Sequence, residues 1–377
     1  MSLIQFKPLM KHLFLHFLCV LVFSPILAQI QVKTYYDEDS LKLREEYELV
    51  NGVPQGLYKL YYEDGGLALK GQLKEGKKEG LFVDYYPHSD DTLRVMYYVN
   101  NLREGPSKNY FQSGKISQEL TFVKNLIEGE VITYHENGKI KQKSGFEKNQ
   151  PEGWSYYFDE DEKLIEKAYY KSGVIDGNKE EYDEEGNLIA KFIYKNGKLD
   201  GEQFTYYENG NVKSQIEYKN GIQNGNTVYF HANGQIARQG KYKNGQPTGI
   251  FKSFHENGAL EETGQYRAGR ITGNITSYYQ DGQVKEIATY NSYGELVRIL
   301  GYHQNGKEER KINYLNGKEE GEAIIYHPNG KVKEIMPYRM GKAHGIQKIY
   351  NEEGDLVQER QFKEGKFVQD LTEEENK

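Results

Sequence analysis

Apolar positions in this chain recur on a period of 24 residues. The stretch YYENGNVKSQIEYKNGIQNG, residues 206–225, shows one copy. An aromatic stands four residues before a turn glycine, an aliphatic two residues after it and a second aromatic eight after it, and a loop of the form NGxxxG follows. Aligned on the last glycine of that loop, the copies fall at Gly56, Gly80, Gly105, Gly129, Gly153, Gly177, Gly201, Gly225, Gly249, Gly273, Gly321 and Gly345. Every spacing is 24 apart from one of 25 and one of 48, and the long one hides a degenerate copy with Val297 in place of glycine.

Each turn glycine is usually preceded by Asn or Asp, as at Gly138, Gly210 and Gly234. These dipeptides supply positive φ at both centres of a type I′ turn, so each copy is predicted to be a β-hairpin. The offsets +2 and +8 are both even, and on a strand of period two they fall on one face. Together with the aromatic before the turn, these columns are the predicted core, and an often small or apolar residue at +6 (Ala168, Ile216, Gly240, Gly264, Ala288, Ile312) leaves room for the rings. Tyr206 is therefore expected inside and Tyr207 outside. The residue after the core aromatic forms a row on the opposite face: Tyr62, Tyr86, Phe111, His135, Tyr207, His231, His255, Tyr279, His303 and His327. That row is the candidate ligand or partner face, a stacking track for a glycan or peptide. Strand propensity alone accounts for the same residue types.

The predicted fold is all-β: an elongated, single-sheet, solenoid-like array of about thirteen 24-residue antiparallel hairpins over residues 53–365. A single hairpin is marginal in water, so stacked copies must share the apolar stripe. At about 10 Å per copy the array would extend on the order of 120 Å. Residues 29–52 read as a degenerate N-terminal cap and 366–377 as an acidic C-terminal tail. Between Gly273 and Gly321, Val297, the displaced Gly294 and Glu308 at an aliphatic position predict a local kink or register change over 290–310. The repeat outline, Y-x-x-N-G with an aliphatic at +2, an aromatic at +8 and NGxxxG, resembles the bacterial variant of the MORN repeat, found in exported repeat proteins and in YwqK-type antitoxins. The resemblance covers residues 50–365 and implies a scaffold. Its antitoxin branch implies a neutraliser of one protein partner, and other MORN proteins imply membrane-associated scaffolding.

Composition adds compartment and narrows the chemistry. Lys7 and Lys11, the apolar run 13–23 and SPILA describe a signal peptide cleaved after Ala28, which predicts export to the periplasm, envelope or outside. The run is shorter than a comfortable membrane span. The only cysteine, Cys19, lies inside it, so the mature chain has no disulfide or thiol chemistry. Losing the two lysines of residues 1–28 takes the formal net charge from −7 to −9, which favours neither nucleic acid nor anionic lipid. No P-loop, GxSxG, HExxH, GxGxxG or paired-cysteine motif is present, and no enzyme activity and no cofactor are expected. Equivalent histidines in adjacent hairpins stand about 10 Å apart, too far to share a zinc with ligands at about 2 Å. An acidic column before the inter-repeat glycine (Glu79, Glu104, Glu128, Glu152, Asp176, Asp200, Glu320) is too sparse for a calcium cage and reads as a solvated loop edge. A protein or glycan partner is expected; oligomeric state is not encoded in any pattern.

Overall fold

The computed structural model describes residues 17–21, 29–39 and 41–372. The proposed cleavage site and residues 373–377 lie outside the described residues, as does most of the apolar leader run. All regular elements among the described residues are β-strands. They fall into two units, one ending at Gly186 and one beginning at Asn187.

In the first unit, strands from Gln29–Tyr35 to Val174–Tyr182 follow one another as antiparallel neighbours, and the short strand Phe17–Leu21 pairs with Gln29–Tyr35. The cap segment is thus a regular hairpin, Gln29–Tyr35 against Leu43–Val50, closed by a longer loop in which Asp37 accepts from the backbone of Leu41 and Lys42. In the second unit the same succession runs from Leu188–Lys195 to Lys366–Asp370. Part of the expected tail is therefore the last strand.

Two kinds of turn alternate. The connection between copies is a two-residue type I′ turn: Asn220 (φ 53°) and Gly221 (φ 82°) join the facing pair Lys219 and Ile222. The turn inside a copy is different from the one expected. His135 donates its N–H to the Lys139 carbonyl (2.9 Å), Gly138 donates to the His135 carbonyl (2.9 Å), and Gly138 alone of the three loop residues has positive φ (91°). This is a three-residue loop, a type I turn closed by a glycine bulge. Asn precedes this glycine for a reason other than positive φ: its Oδ1 accepts the N–H two residues on, as Asn137 does from Lys139 (2.9 Å).

The pairing just beyond this loop overturns the expected core. Tyr206 pairs with Val212, but its neighbour Thr205 pairs with Ser214, so the register shifts by one residue there. Residues directly opposite one another share a face. Val212 thus lies on the face of Tyr206, whereas Ser214, Ile216 and Tyr218 lie on the face of Thr205 and Gln203. The +2 and +8 columns, expected together, are on opposite faces.

The buried face is built on the column two residues after the inter-repeat glycine and on the residues that face it. In the first unit Phe82 (1% exposed) pairs with Met96, Val131 with Ser144 and Ser155 with Ala168. Met96, Leu120, Phe122 and Val131 form one cluster, with Tyr98, Ile127 and Phe146 packed on it. In the second unit Thr227 faces Gly240 and Phe251 faces Gly264. Glycines make room for the two buried phenylalanines, Gly71 beside Phe82 and Gly240 beside Phe251. Lys78 completes the seal over Phe82 and Tyr98, its Nζ 5.0 and 5.1 Å from their ring centres. Burial pulls its ammonium below the ordinary lysine range.

The degenerate copy folds as a hairpin with a changed register. Tyr290 pairs with Leu296, and Asn291 to Glu295 close with the glycine-bulge geometry (Gly294 φ 84°) instead of a type I′ turn. Loss of the usual glycine is met by a longer loop of the other kind. Glu308 is exposed on the face of the facing Tyr302, so no charge is buried. Burial, and then the Glu308 carboxylate, raise the Tyr326 phenol above its ordinary range.

Candidate functional site

The ten residues of the predicted ring row sit at equivalent loop-entry positions in successive copies, and all are half-buried. Their polar tips are committed to the neighbouring copy. The Tyr62 hydroxyl donates to the Tyr85 carbonyl (2.7 Å), Tyr86 to Tyr110 (2.7 Å), Tyr207 to Phe230 (2.7 Å) and Tyr279 to Tyr302 (2.8 Å). His135, His231, His303 and His327 donate from Nε2 to the carbonyls of Phe158, Phe254, Tyr326 and Tyr350 at 2.8–3.0 Å. Tyr and His interchange because each places one donor at the end of a flat ring. Phe111 has no such donor, and the Nε2 of His255 is buried without a hydrogen-bond partner. Lysines cover two of the rings, Lys213 over Tyr207 (5.6 Å) and Lys285 over Tyr279 (5.9 Å).

Two further ladders accompany the row, and the sequence reading missed both. The turn asparagines reach across to the next loop: Asn137 Nδ2 donates to the Glu160 carbonyl (2.7 Å), Asn233 to Glu256 (2.9 Å) and Asn329 to Glu352 (2.7 Å). On the other edge the acidic column accepts the N–H of the first residue of the next type I′ turn. Glu79 takes it from Asn100 (2.9 Å), Glu104 from Lys124 (2.8 Å), Glu152 from Ser172 (2.7 Å), Asp200 from Asn220 (3.0 Å) and Glu320 from Met340 (2.7 Å). These carboxylates are bonded turn caps rather than a merely solvated edge. Their regular spacing was the available signal; the partner, 20 or 21 residues on, was not visible without the fold.

The latch can be weighed. Tyr207→Phe keeps the ring and removes one hydrogen bond, so it is expected to cost about 1 kcal/mol. Hydrogen exchange should report faster opening of the loop after Phe230, the residue whose carbonyl is released; unchanged protection there would show that the bond contributes nothing.

On the face opposite Phe82 the first unit carries apolar side chains in the open. Leu81 (42% exposed) and Tyr97 (44%) face each other directly, and Leu57 and Trp154 occupy the same face. Trp154 packs edge-on to Tyr169 at 5.4 Å, with Lys167 Nζ 5.6 Å from its ring centre. Nearby Tyr134 donates to Glu119 (2.7 Å), which also pairs with Lys108 (2.7 Å). Lys108 and then Tyr134 hold the Glu119 carboxyl below its ordinary range, while burial and Glu119 push the Tyr134 phenol up to about 12. Among the described residues no group of three or more His, Cys, Asp or Glu is placed to hold a metal ion.

The MORN repeat variant matches residues 103–124, 127–148, 175–196, 199–220, 223–244, 247–268, 271–292, 319–340 and 343–364, together just over half of the chain. No curated protein matches the sequence. Among solved structures, the crystal structure of TcdB2-TccC3 without its hypervariable C-terminal region aligns with 92% of this chain at 13% identity and a TM-score of 0.15. The crystal structure of TcdB2-TccC3-TEV aligns with 90% at 10% identity and a TM-score of 0.13. This chain spans 22% of either of those chains, and the likeness carries no argument. Eight of the nine matched segments end at the first residue of a type I′ turn, such as Asn220 or Met340, the other ends at Ser292 in the glycine-bulge loop of the degenerate copy, and each encloses one hairpin of the kind described above; the chain belongs to the MORN repeat variant family.

Proposed function

We propose that this protein is a non-enzymatic, exported repeat scaffold that binds a protein or an envelope polymer along an open sheet face. One observation carries the reading: the apolar row Leu57, Leu81, Tyr97 and Trp154 on the face opposite the Phe82 core. Side chains of this size in the open, rimmed by lysines and carboxylates, are what a partner's surface covers. The ring row at the loop edge supports the scaffold role in a different way. Its donors are spent on the neighbouring copy, so its contribution is to hold the copies in register and present the face rigidly.

The test is affinity capture from an envelope fraction with the full chain and with Leu81→Lys/Tyr97→Lys. One partner or glycan retained by the natural chain and lost with the double variant supports the reading. Equal capture by both would remove the face from consideration. Lipid as the retained species would favour a membrane-associated scaffold, and a single stoichiometric protein an antitoxin-like neutraliser. N-terminal sequencing of the mature protein should begin at Gln29; a start at Met1 would overturn export by cleavage.

A further inference from the structure

Arg94, Arg238 and Arg310 occupy the same repeat position. Arg94 is neutralised by the facing Asp84, and Arg310 by Glu286. Arg238 differs. It faces Tyr229 on one side and Ser253 on the other, and among the described residues no carboxylate lies within ion-pair distance of it. Its guanidinium stands 5.7 Å from the centre of the Phe251 ring.

Beside it is a half-open cavity of about 310 Å³ lined by Thr227, Tyr229, Gly240, Tyr242 and Phe251, with the exposed Arg238 at its rim. Its origin is local. Gly240 has no side chain, and the residue facing it is the small Thr227, whereas the equivalent Gly71 of the first unit faces the larger Tyr58. A Cβ on Gly240 would fall 2.2 Å from Phe251, so glycine is required here for the ring to lie as it does. Tyr242 meets Phe251 edge-on at 5.6 Å, and Tyr229, 41% exposed, forms the open wall.

We propose that this cavity binds a carboxylate carried on a flat apolar ring, the ring against Tyr229, Tyr242 and Phe251 and the carboxylate on Arg238. An apolar cavity of about 150 Å³ holds benzene, so the volume here accommodates a ring together with a short acidic arm. The guanidinium is an unpaired, rigid fork that matches a carboxylate in two parallel hydrogen bonds. The site lies on the Phe251 face of the second unit and does not rest on the scaffold reading.

The experiment is saturation-transfer NMR on the full chain with phenylacetate and, as the uncharged control, phenylacetamide. Phenylacetate should bind at least about tenfold tighter than the amide, a difference of about 1.4 kcal/mol. Arg238→Gln should abolish that preference while Arg310→Gln preserves it. Equal binding of acid and amide, no binding of either, or an unchanged preference in Arg238→Gln would each overturn the proposal. A short peptide ending in phenylalanine separates the sources. Binding tighter than phenylacetate that is lost on C-terminal amidation assigns the site to polypeptide C-termini, and no gain assigns it to free aryl acids.

Discussion

Phe82→Ala is expected to lower the stability of the first unit by about 3–5 kcal/mol, the range for emptying a buried aromatic site. Leu81→Ala, one residue away, is expected to cost no more than about 0.5 kcal/mol, as for an exposed position away from special features. Phe82 is 1% exposed, packs edge-on to Tyr98 at 5.0 Å, and lies beneath the Lys78 stem, while Leu81 points into solvent from the other face. Removing the ring opens a hole beneath the Lys78 stem and beside Tyr98 that these neighbours do not fill without moving. Urea melts followed by tyrosine fluorescence measure the difference. Equal losses at the two positions would mean that the buried face has been misassigned.

Gly71→Ala should be the second large effect, about 1–3 kcal/mol or more. The added Cβ would lie 2.3 Å from the Phe82 ring, inside contact distance of atoms that are themselves enclosed. The ring must rotate or the strands must part. Because the clash is with one side chain, Gly71→Ala and Phe82→Leu should be strongly coupled: the double variant should lose less than the two single losses combined. Simple additivity in the melts would place the cost of the alanine in the backbone instead of in the ring contact. Backbone strain is not the expected cause, since Gly71 is absent from the positive-φ glycines.

Both predictions concern residues that the alternation argument placed only in part. The +6 column was read as small or apolar residues leaving room for rings, and that is what Gly71 and Gly240 do. The rings they accommodate come from two residues after the inter-repeat glycine, as with Phe82 and Phe251, rather than from the Tyr61 or Tyr206 column. That column lies on the other face: the Tyr61 hydroxyl donates to Glu46 and the Tyr134 hydroxyl to Glu119. The candidate row was found as a column, but its bonding was not. Tyr207 and His303 look like exposed strand residues until the carbonyl 23 residues on is brought within hydrogen-bond reach.

By itself the sequence determined the all-β class, the hairpin repeat, its 24-residue period and the positions of both loops, because these follow from glycine placement and periodicity within a few residues of chain. It also marked the broken copy near Val297. The tertiary structure alone decided which columns share a face and which polar groups have partners. Two turns of different kinds alternate along the chain, and just beyond the glycine-bulge loop one strand carries an extra residue that its partner lacks, as where Phe254 pairs with Leu260 but Ser253 with Glu262. One inserted residue reverses the facing of every side chain counted across it. Counting along the sequence carries no record of that insertion; the pairing of strands does.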